Sequence, residues 1–496
     1  MRVTFDLPVT HEAEIVVCGG GPAGVAAALS AARNGAKTLL IERMGFCGGS
    51  ATAMQVPAFA PFSDRTKAIT RGIGWEILTE HARRLGRPVP DPDIYAVPQD
   101  LGRMDWAPID VETLKRIYDD LLEAAGVTVL YHTFVPQTLP AFPSHPSPNP
   151  FPRSFSRFAG TREGELSRPP FGLFPRSEGR REGRGGMPID ALVLANKSGL
   201  SLARGKVYID ATGDADLAAL AGCPFELGDD EGQTQGATLC FTLAGGSRTA
   251  YLEYVNRTGD GYLKNLVAQA REGGDFPLPD ASLVGLSFKD ESVAGCNLGH
   301  VYGIDATNSQ SVSSGEREGR RVAAILIEFI RRYVPGQEGA RLVSTGPHLG
   351  IRESRRIVGD YRLTLDDYLS CRSFPDEIAR SAYFIDLHAA TTEAAARAKS
   401  VSDGQKTSAS LPPGESHGIP YRCLLPQDVQ NLLVAGRSLS AERAVQGAAR
   451  IMPVCFSMGQ AAGLAAQIAL ALSGDVRAVN TDALRAKLRA QGAWLP

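Results

Sequence analysis

Two groups of residues in this chain have types and spacings that suit chemistry. The first is Gly19-Gly20-Gly21-Pro22-Ala23-Gly24, a G-x-G-x-x-G pattern between an apolar run at 14–18 and an alanine-rich segment reaching about residue 34. Gly19 permits a tight turn, Gly21 lets backbone approach a pyrophosphate, and Gly24 allows close contact between helix and strand. The phosphates would lie over the helix start, where N–H groups lack partners. Pro22 costs no hydrogen bond in that first turn, and Ala23 completes it. Glu42, at the end of the next strand, is placed to accept from an adenosine ribose. Its charge would repel a 2′-phosphate, which favours FAD or NAD over NADP.

The second group is His348 with Arg352, Glu353, Arg355 and Arg356. If this segment is helical, His348 and Arg352 share a face at i,i+4. A histidine exchanges a proton near neutral pH, and an arginine stays charged to hold a carboxylate or an enolate. His348 and Arg352 are therefore the first choices for catalysis. The competing reading is a buried ion network that braces two domains. His388, in a cluster with Tyr383 and Asp386, is the next choice; His300 and His417 are open to facing the cofactor or to a core or interface position.

The elements that must position these groups follow from pattern. A strand at 14–18, a helix to about 34 and a strand at 37–42 make a βαβ opening of a parallel sheet. Leu114, Ile117, Leu121 and Leu122 recur at helical spacing, with Asp110 as cap and Gly126 as stop, so a helix is expected at 111–125 and a strand at 127–135. Strands near 189–195, 206–210 and 431–436 and a helix at 316–333 complete the reading. The uncharged stretch 452–472 is long enough to span a membrane, but Ala, Gly, Gln460 and Gln467 suit a helix buried in a core. Residues 137–188 hold ten prolines and eight arginines with little periodicity, and read as a mobile insertion.

Composition narrows the partners. Across 496 residues, 52 Lys and Arg face 54 Asp and Glu, which gives no support to nucleic-acid or polybasic membrane binding. The eight cysteines form no CxxC pair, so neither a metal site nor a redox-active disulfide is expected. The N-terminal residues lack the pattern of a secretory signal, and the cytoplasm is the expected compartment.

With these residues in view, the chain resembles the FAD-dependent oxidoreductases of the glutathione-reductase-like, two-dinucleotide-fold superfamily. The blocks that carry the likeness are GGGPAGVAAALSAARNGAKTLLIER, GFCGGSAT at 45–52, IDATGDADLAALAG at 209–222, HLGIRESRRIVGDYRL at 348–363, and the stretch 431–463. The resemblance implies an α/β fold: a Rossmann-like, discontinuous FAD-binding domain with an inserted α+β substrate domain. Its FAD-binding segments would be 10–57, 108–136, 189–225 and 426–475, with the insertion at 137–188, a substrate domain at 226–425 and a C-terminal tail at 476–496. It places Arg43 near adenine, with a backbone contact from Val135. Gly48 and Gly49 would pass the pyrophosphate and ribityl region, with hydroxyls from Ser50 and Thr52. Ala211, Thr212 and Gly213 would return close to the cofactor, and Gly436 and Arg437 would approach its phosphate. Met452, Pro453, Val454 and Cys455 would aim helix N–H groups at the flavin ring. The FAD is expected to be noncovalent, with Cys47 beside the ribityl chain rather than bonded to the ring. The implied activity is an oxidase or dehydrogenase that moves a hydride between a small organic substrate and flavin N5. Oxygen, a quinone or a protein carrier would take the electrons, and a homo-oligomer is compatible. The alternatives are an NAD(P)H-dependent flavin reductase and a non-catalytic electron-transfer subunit.

Overall fold

The computed structural model describes residues 6–94, 105–141, 187–397 and 410–496. A five-stranded parallel sheet is central, in the order Leu432–Val434, Val207–Asp210, Ile15–Cys18, Thr38–Ile41, Thr128–Leu130. Its inner strands are buried on both faces, as their unbroken apolar sequences require. The period of two divides their side chains. Ile15, Val17, Leu40 and Ile209 face the helices, whereas Val16, Cys18, Leu39, Ile41 and Tyr208 face a second sheet.

That second sheet has the order Val9–Glu12, Gly199–Arg204, Ile189–Asn196, Phe134–Pro140. It corrects the expectation for 137–188. Strand Phe134–Pro140 continues into that stretch and pairs antiparallel with Ile189–Asn196, Thr138 opposite Leu192. Most of the expected insertion, 142–186, lies outside the described residues.

Two helices cover the other face of the central sheet. Pro22–Arg33 follows the glycine turn, and Met452–Ala469 closes the domain. They touch backbone to backbone: a Cβ at Gly459 would overlap the Ala23 carbonyl, and one at Gly463 the Ala27 carbonyl. Ser30 Oγ donates to the Gln460 carbonyl at 2.8 Å, and Gln460 Oε1 accepts from Ile73 N at 3.0 Å. The polar side chain in an uncharged helix is thereby satisfied. By length and composition Met452–Leu472 could cross a membrane, yet 72% of its most apolar window is buried within the protein. It is a core helix.

The inserted α+β domain has its own core. An antiparallel sheet, in the order Ser287–Phe288, Val293–Cys296, Phe241–Ala244, Arg341–Thr345, packs with helix Ser309–Tyr333. That helix starts earlier than its apolar period suggests, because the Asn308 side chain caps Gln310 N and Ser311 N. The architecture is thus a discontinuous Rossmann-like domain carrying an inserted α+β domain.

The segment from His348 to Arg356 is not helical. Gly350 exchanges both backbone hydrogen bonds with Thr238, and Arg355–Ile357 is a strand paired with Phe225–Leu227. Those partners take the groups a helix would use internally, so the i,i+4 face predicted for His348 and Arg352 does not exist.

Three histidines are buried as neutral rings. His81 Nε2 accepts the Asp110 backbone N–H at 3.0 Å, and burial, then the charge of Arg87, push it down to about 4. Burial pushes His417 down to about 4, and burial with Arg352 pushes His388 to about 3. The unfolded chain takes up such protons near 6.5, so below that pH it binds more protons than the folded chain and is favoured. Each histidine then weakens the fold by about 1.4 kcal/mol per pH unit until its folded value is reached. His81→Gln keeps an acceptor but cannot titrate. Urea denaturation at pH 6 and pH 5 should show it losing about 1.2 kcal/mol less than wild type over that step. An identical loss in both proteins would contradict neutral burial.

Candidate active site

Two cavities lie among the segments that carry the candidate residues, the first of them at the glycine turn. The first, about 1950 Å³, is lined by Gly19, Glu42, Arg43, residues 133–136, Thr212 and Asp216, among others. Gly19 has φ +93°, and a Cβ there would meet the Ala211 carbonyl at 2.5 Å, so the turn admits no side chain. Gly24 is equally closed by the Gly19 carbonyl, whereas above Gly21 a Cβ would find only Gly49 Cα, at 3.9 Å. This open backbone cradle fits a pyrophosphate. Glu42 is nearly buried: Oε2 accepts from Gly20 N at 2.6 Å and Oε1 from Met44 N at 2.7 Å. Each oxygen keeps a further lone pair for a ribose hydroxyl. Burial raises its pKa against the pull of those two N–H groups.

The 45–52 loop lies across the cradle, with Gly48 N donating to Gly20 O at 2.7 Å. Gly49 approaches Gly21 so closely that a Cβ would stand 2.9 Å from its Cα. Thr52 departs from expectation: its buried hydroxyl donates to the Cys47 carbonyl at 2.7 Å and braces the loop. Cys47 is fully buried beneath Gly20, whose Cβ would stand 2.7 Å from its sulfur. Burial drives its thiol far above the usual range, which suits packing rather than attachment.

Arg437 follows Gly436 and bonds Asp214 at 2.6 Å, while its buried Nε has no partner among the described residues. Asp214 also accepts from Ser354 at 2.7 Å, and Asp216 pairs with Arg355 at 2.8 Å. The 216–220 helix is capped by Asp210, which accepts from Thr212 N at 3.0 Å and Ala218 N at 2.9 Å. At the start of helix Met452–Ala469, Pro453 has no N–H. Cys455 N already donates to Ile451 O at 3.0 Å, and the Cys455 thiol turns to the Arg450 carbonyl. The free N–H groups of that turn are thus those of Met452 and Val454, and Cys455 is corrected to a packing role.

The second cavity, about 730 Å³, begins at Ser50, Met54, Arg437, Ile451 and Met452 and runs beneath the inserted domain. Its walls are mainly apolar and aromatic, including Val56, Trp106, Tyr262, Leu283 and Phe288. Into it converge Asp280, His300, Arg352, Tyr383, Asp386, His388 and Arg450. Asp280 Oδ1 meets His300 Nδ1 at 2.6 Å, and His300 Nε2 meets His388 Nδ1 at 2.9 Å. His388 Nε2 stands 3.2 Å from Asp386 Oδ1, and Arg450 holds the other Asp386 oxygen at 2.9 Å. Despite burial, Asp386 is held ionised, by His388 once its Nε2 carries a proton and by the Arg450 ion pair.

The expected pair is therefore divided. His348 is not among the side chains lining this second cavity. Arg43 donates to its Nε2 at 2.7 Å, so its Nδ1–H donates to Leu349 O at 2.8 Å. Both nitrogens are engaged beside the nucleotide cradle. Glu353, Arg355 and Arg356 do form the bracing network. Glu353 binds Arg356 at 2.7 Å and Arg443 at 2.9 Å. Arg352 and His388 alone of the three expected residues meet. Asp280 and Arg450 carried no local signal of this role, and neither did the pairing of His300 with His388, since chain segments far apart bring them together.

A family model described as "FAD dependent oxidoreductase" matches residues 14–141 and 175–488. The chain belongs to this family. The oxidoreductase is a flavoprotein whose cofactor is noncovalently bound FAD, and the cradle described above fits it. Among solved structures, Thermovibrio ammonificans THI4 is similar at 16% identity over 43% of this chain and 64% of its own, TM-score 0.26. The chain thus spans slightly less than two thirds of that protein. A geranylgeranyl bacteriochlorophyll reductase-like protein from Thermoplasma acidophilum matches at 10% identity over 97% of this chain and 91% of its own, TM-score 0.41. The myxobacterial chondrochloren halogenase CndH matches at 14% identity over 97% and 79%, TM-score 0.39. These scores are too low to bear on the oxidoreductase's chemistry. No curated protein matches the chain.

Acid precipitation of the purified oxidoreductase should release all yellow colour into the supernatant as FAD. Colour retained in the washed pellet would contradict noncovalent binding.

Proposed function

We propose that the oxidoreductase oxidises a small organic substrate held in the second cavity, with His388 receiving the proton that leaves as a hydride departs. When bound, FAD supplies the two-electron acceptor, at N5. The observation that carries this reading is the Asp280–His300–His388 chain, which opens into the same cavity as Ser50, Met54 and Met452.

The hydrogen bonds assign the tautomers. Asp280 accepts, so His300 carries its proton on Nδ1. His300 Nε2 then accepts, so His388 carries its proton on Nδ1. Two neutral rings thus satisfy both bonds and leave a lone pair on His388 Nε2. The 3.2 Å contact to Asp386 is the longest of the three, and it stabilises the ring once Nε2 is protonated. Tyr383 lines the cavity with no hydroxyl partner among the described residues, and offers a group to orient the substrate. Trp106, Tyr262 and Phe288 give the cavity apolar walls, with Phe288 buried and Trp106 and Tyr262 half-exposed. The eight cysteines are all free, which favours a reducing compartment such as the cytoplasm.

Anaerobic bleaching of the flavin by a panel of alcohols, amines and acids identifies the substrate. His388→Gln should retain FAD but slow that bleaching by about 100-fold. His348→Gln, altered at the nucleotide end, should bleach at close to the wild-type rate. Unchanged bleaching in His388→Gln with FAD intact would overturn the assignment.

A further inference from the structure

Arg352 is 9% exposed and lines the second cavity, yet no carboxylate pairs with it among the described residues. Its Nη1 donates to Gly236 O at 2.6 Å and Thr238 Oγ1 at 2.9 Å, and its Nη2 reaches Asn297 Oδ1 only at 3.4 Å. All these acceptors are neutral. The arginines around it each have an acid: Arg355 has Asp216, Arg356 and Arg443 have Glu353, Arg437 has Asp214, and Arg450 has Asp386. Of the carboxylates on the cavity, Asp280 is turned to His300, and Asp386 is shared between Arg450 and His388. A buried guanidinium with only neutral partners lacks compensation for its lost hydration. Its planar fork suits a carboxylate.

We propose that Arg352 binds the carboxylate of an anionic substrate whose apolar body lies against Met54, Trp106, Tyr262, Leu283 and Phe288. The inference rests on the second cavity being the substrate site. It also connects binding to the proton step. Burial first, and the Arg352 charge second, hold His388 down to about 3, against the opposing pull of Asp386. A carboxylate on Arg352 offsets that charge and raises the proton affinity of His388. The base thereby gains strength when an anion is bound. The other cation facing this group, Arg450, is already neutralised by Asp386.

The test uses oxidised, FAD-loaded enzyme titrated with acetate, hexanoate, benzoate and the neutral benzamide. Calorimetry reads binding, and flavin absorbance reads proximity to the cofactor. Benzoate should bind the wild type at least tenfold more tightly than benzamide and perturb the flavin bands. In Arg352→Gln with full FAD content, its affinity should fall tenfold or more. Arg352→Lys should restore part of it. Three results would overturn the proposal: no carboxylate binding to the wild type, equal affinity for benzoate and benzamide, or wild-type affinity in Arg352→Gln. Loss of FAD from both Arg352 variants would likewise overturn it, because the arginine would then serve the cofactor. Arg352-dependent binding that leaves the flavin bands unmoved would instead sustain the anion site and refute the cavity's role beside the flavin.

Discussion

The contact of helix Pro22–Arg33 with helix Met452–Ala469 is the constraint on which the site depends. Gly459 and Gly463 bring the second helix against the carbonyls of Ala23 and Ala27 without side chains between them. Both helices start at the site, one at the pyrophosphate cradle and the other at the mouth of the second cavity. Each N-terminus offers unpaired N–H groups and a positive dipole end. Chain segments more than 400 residues apart are thus joined into one cofactor-binding surface, and Ser30 fixes their register through its bond to Gln460. The alanines and glycines that make the last helix look membrane-like are what this contact requires.

Around that core, charge is divided by position. Arg43 and His348 stand beside the nucleotide cradle, while Arg437, paired with Asp214, lines the second cavity. Glu353, Arg356 and Arg443 brace the inserted domain against the FAD-binding domain. Arg352 faces the second cavity. These residues lie within one short segment or opposite it, yet an extended backbone carries Arg352 roughly 13 Å along the chain from His348, at about 3.3 Å per residue. A helix would have put His348 and Arg352 one turn apart on one face.

The βαβ opening was legible because its signals are local: an apolar strand, a glycine turn, an alanine-rich helix and an acid closing the next strand. The segment at 348–356 was not, because the groups that hold it extended are distant in sequence. Thr238 pairs with Gly350, and Phe225–Leu227 with Arg355–Ile357. The same holds for His300 and His388, which are 88 residues apart and meet only after the inserted domain folds. Thr52 lies in the expected loop and Cys455 in the first turn of the last helix, but spacing does not reveal which way a hydroxyl or an N–H turns. Strand pairing on both sides of the proline-rich stretch was masked by its composition, which dominates any short alternating pattern nearby.

Gly459→Ala tests the helix contact most directly, because one methyl group must part the two helices or be refused. Overpacking at such a contact costs about 1–3 kcal/mol. The decisive quantity is the FAD dissociation constant of the variant, measured by fluorescence quenching, with circular dichroism to report the fold. The account predicts a weakening of tenfold or more, about 1.4 kcal/mol, in a chain that retains its secondary structure. Wild-type FAD affinity in a folded Gly459→Ala protein would contradict it.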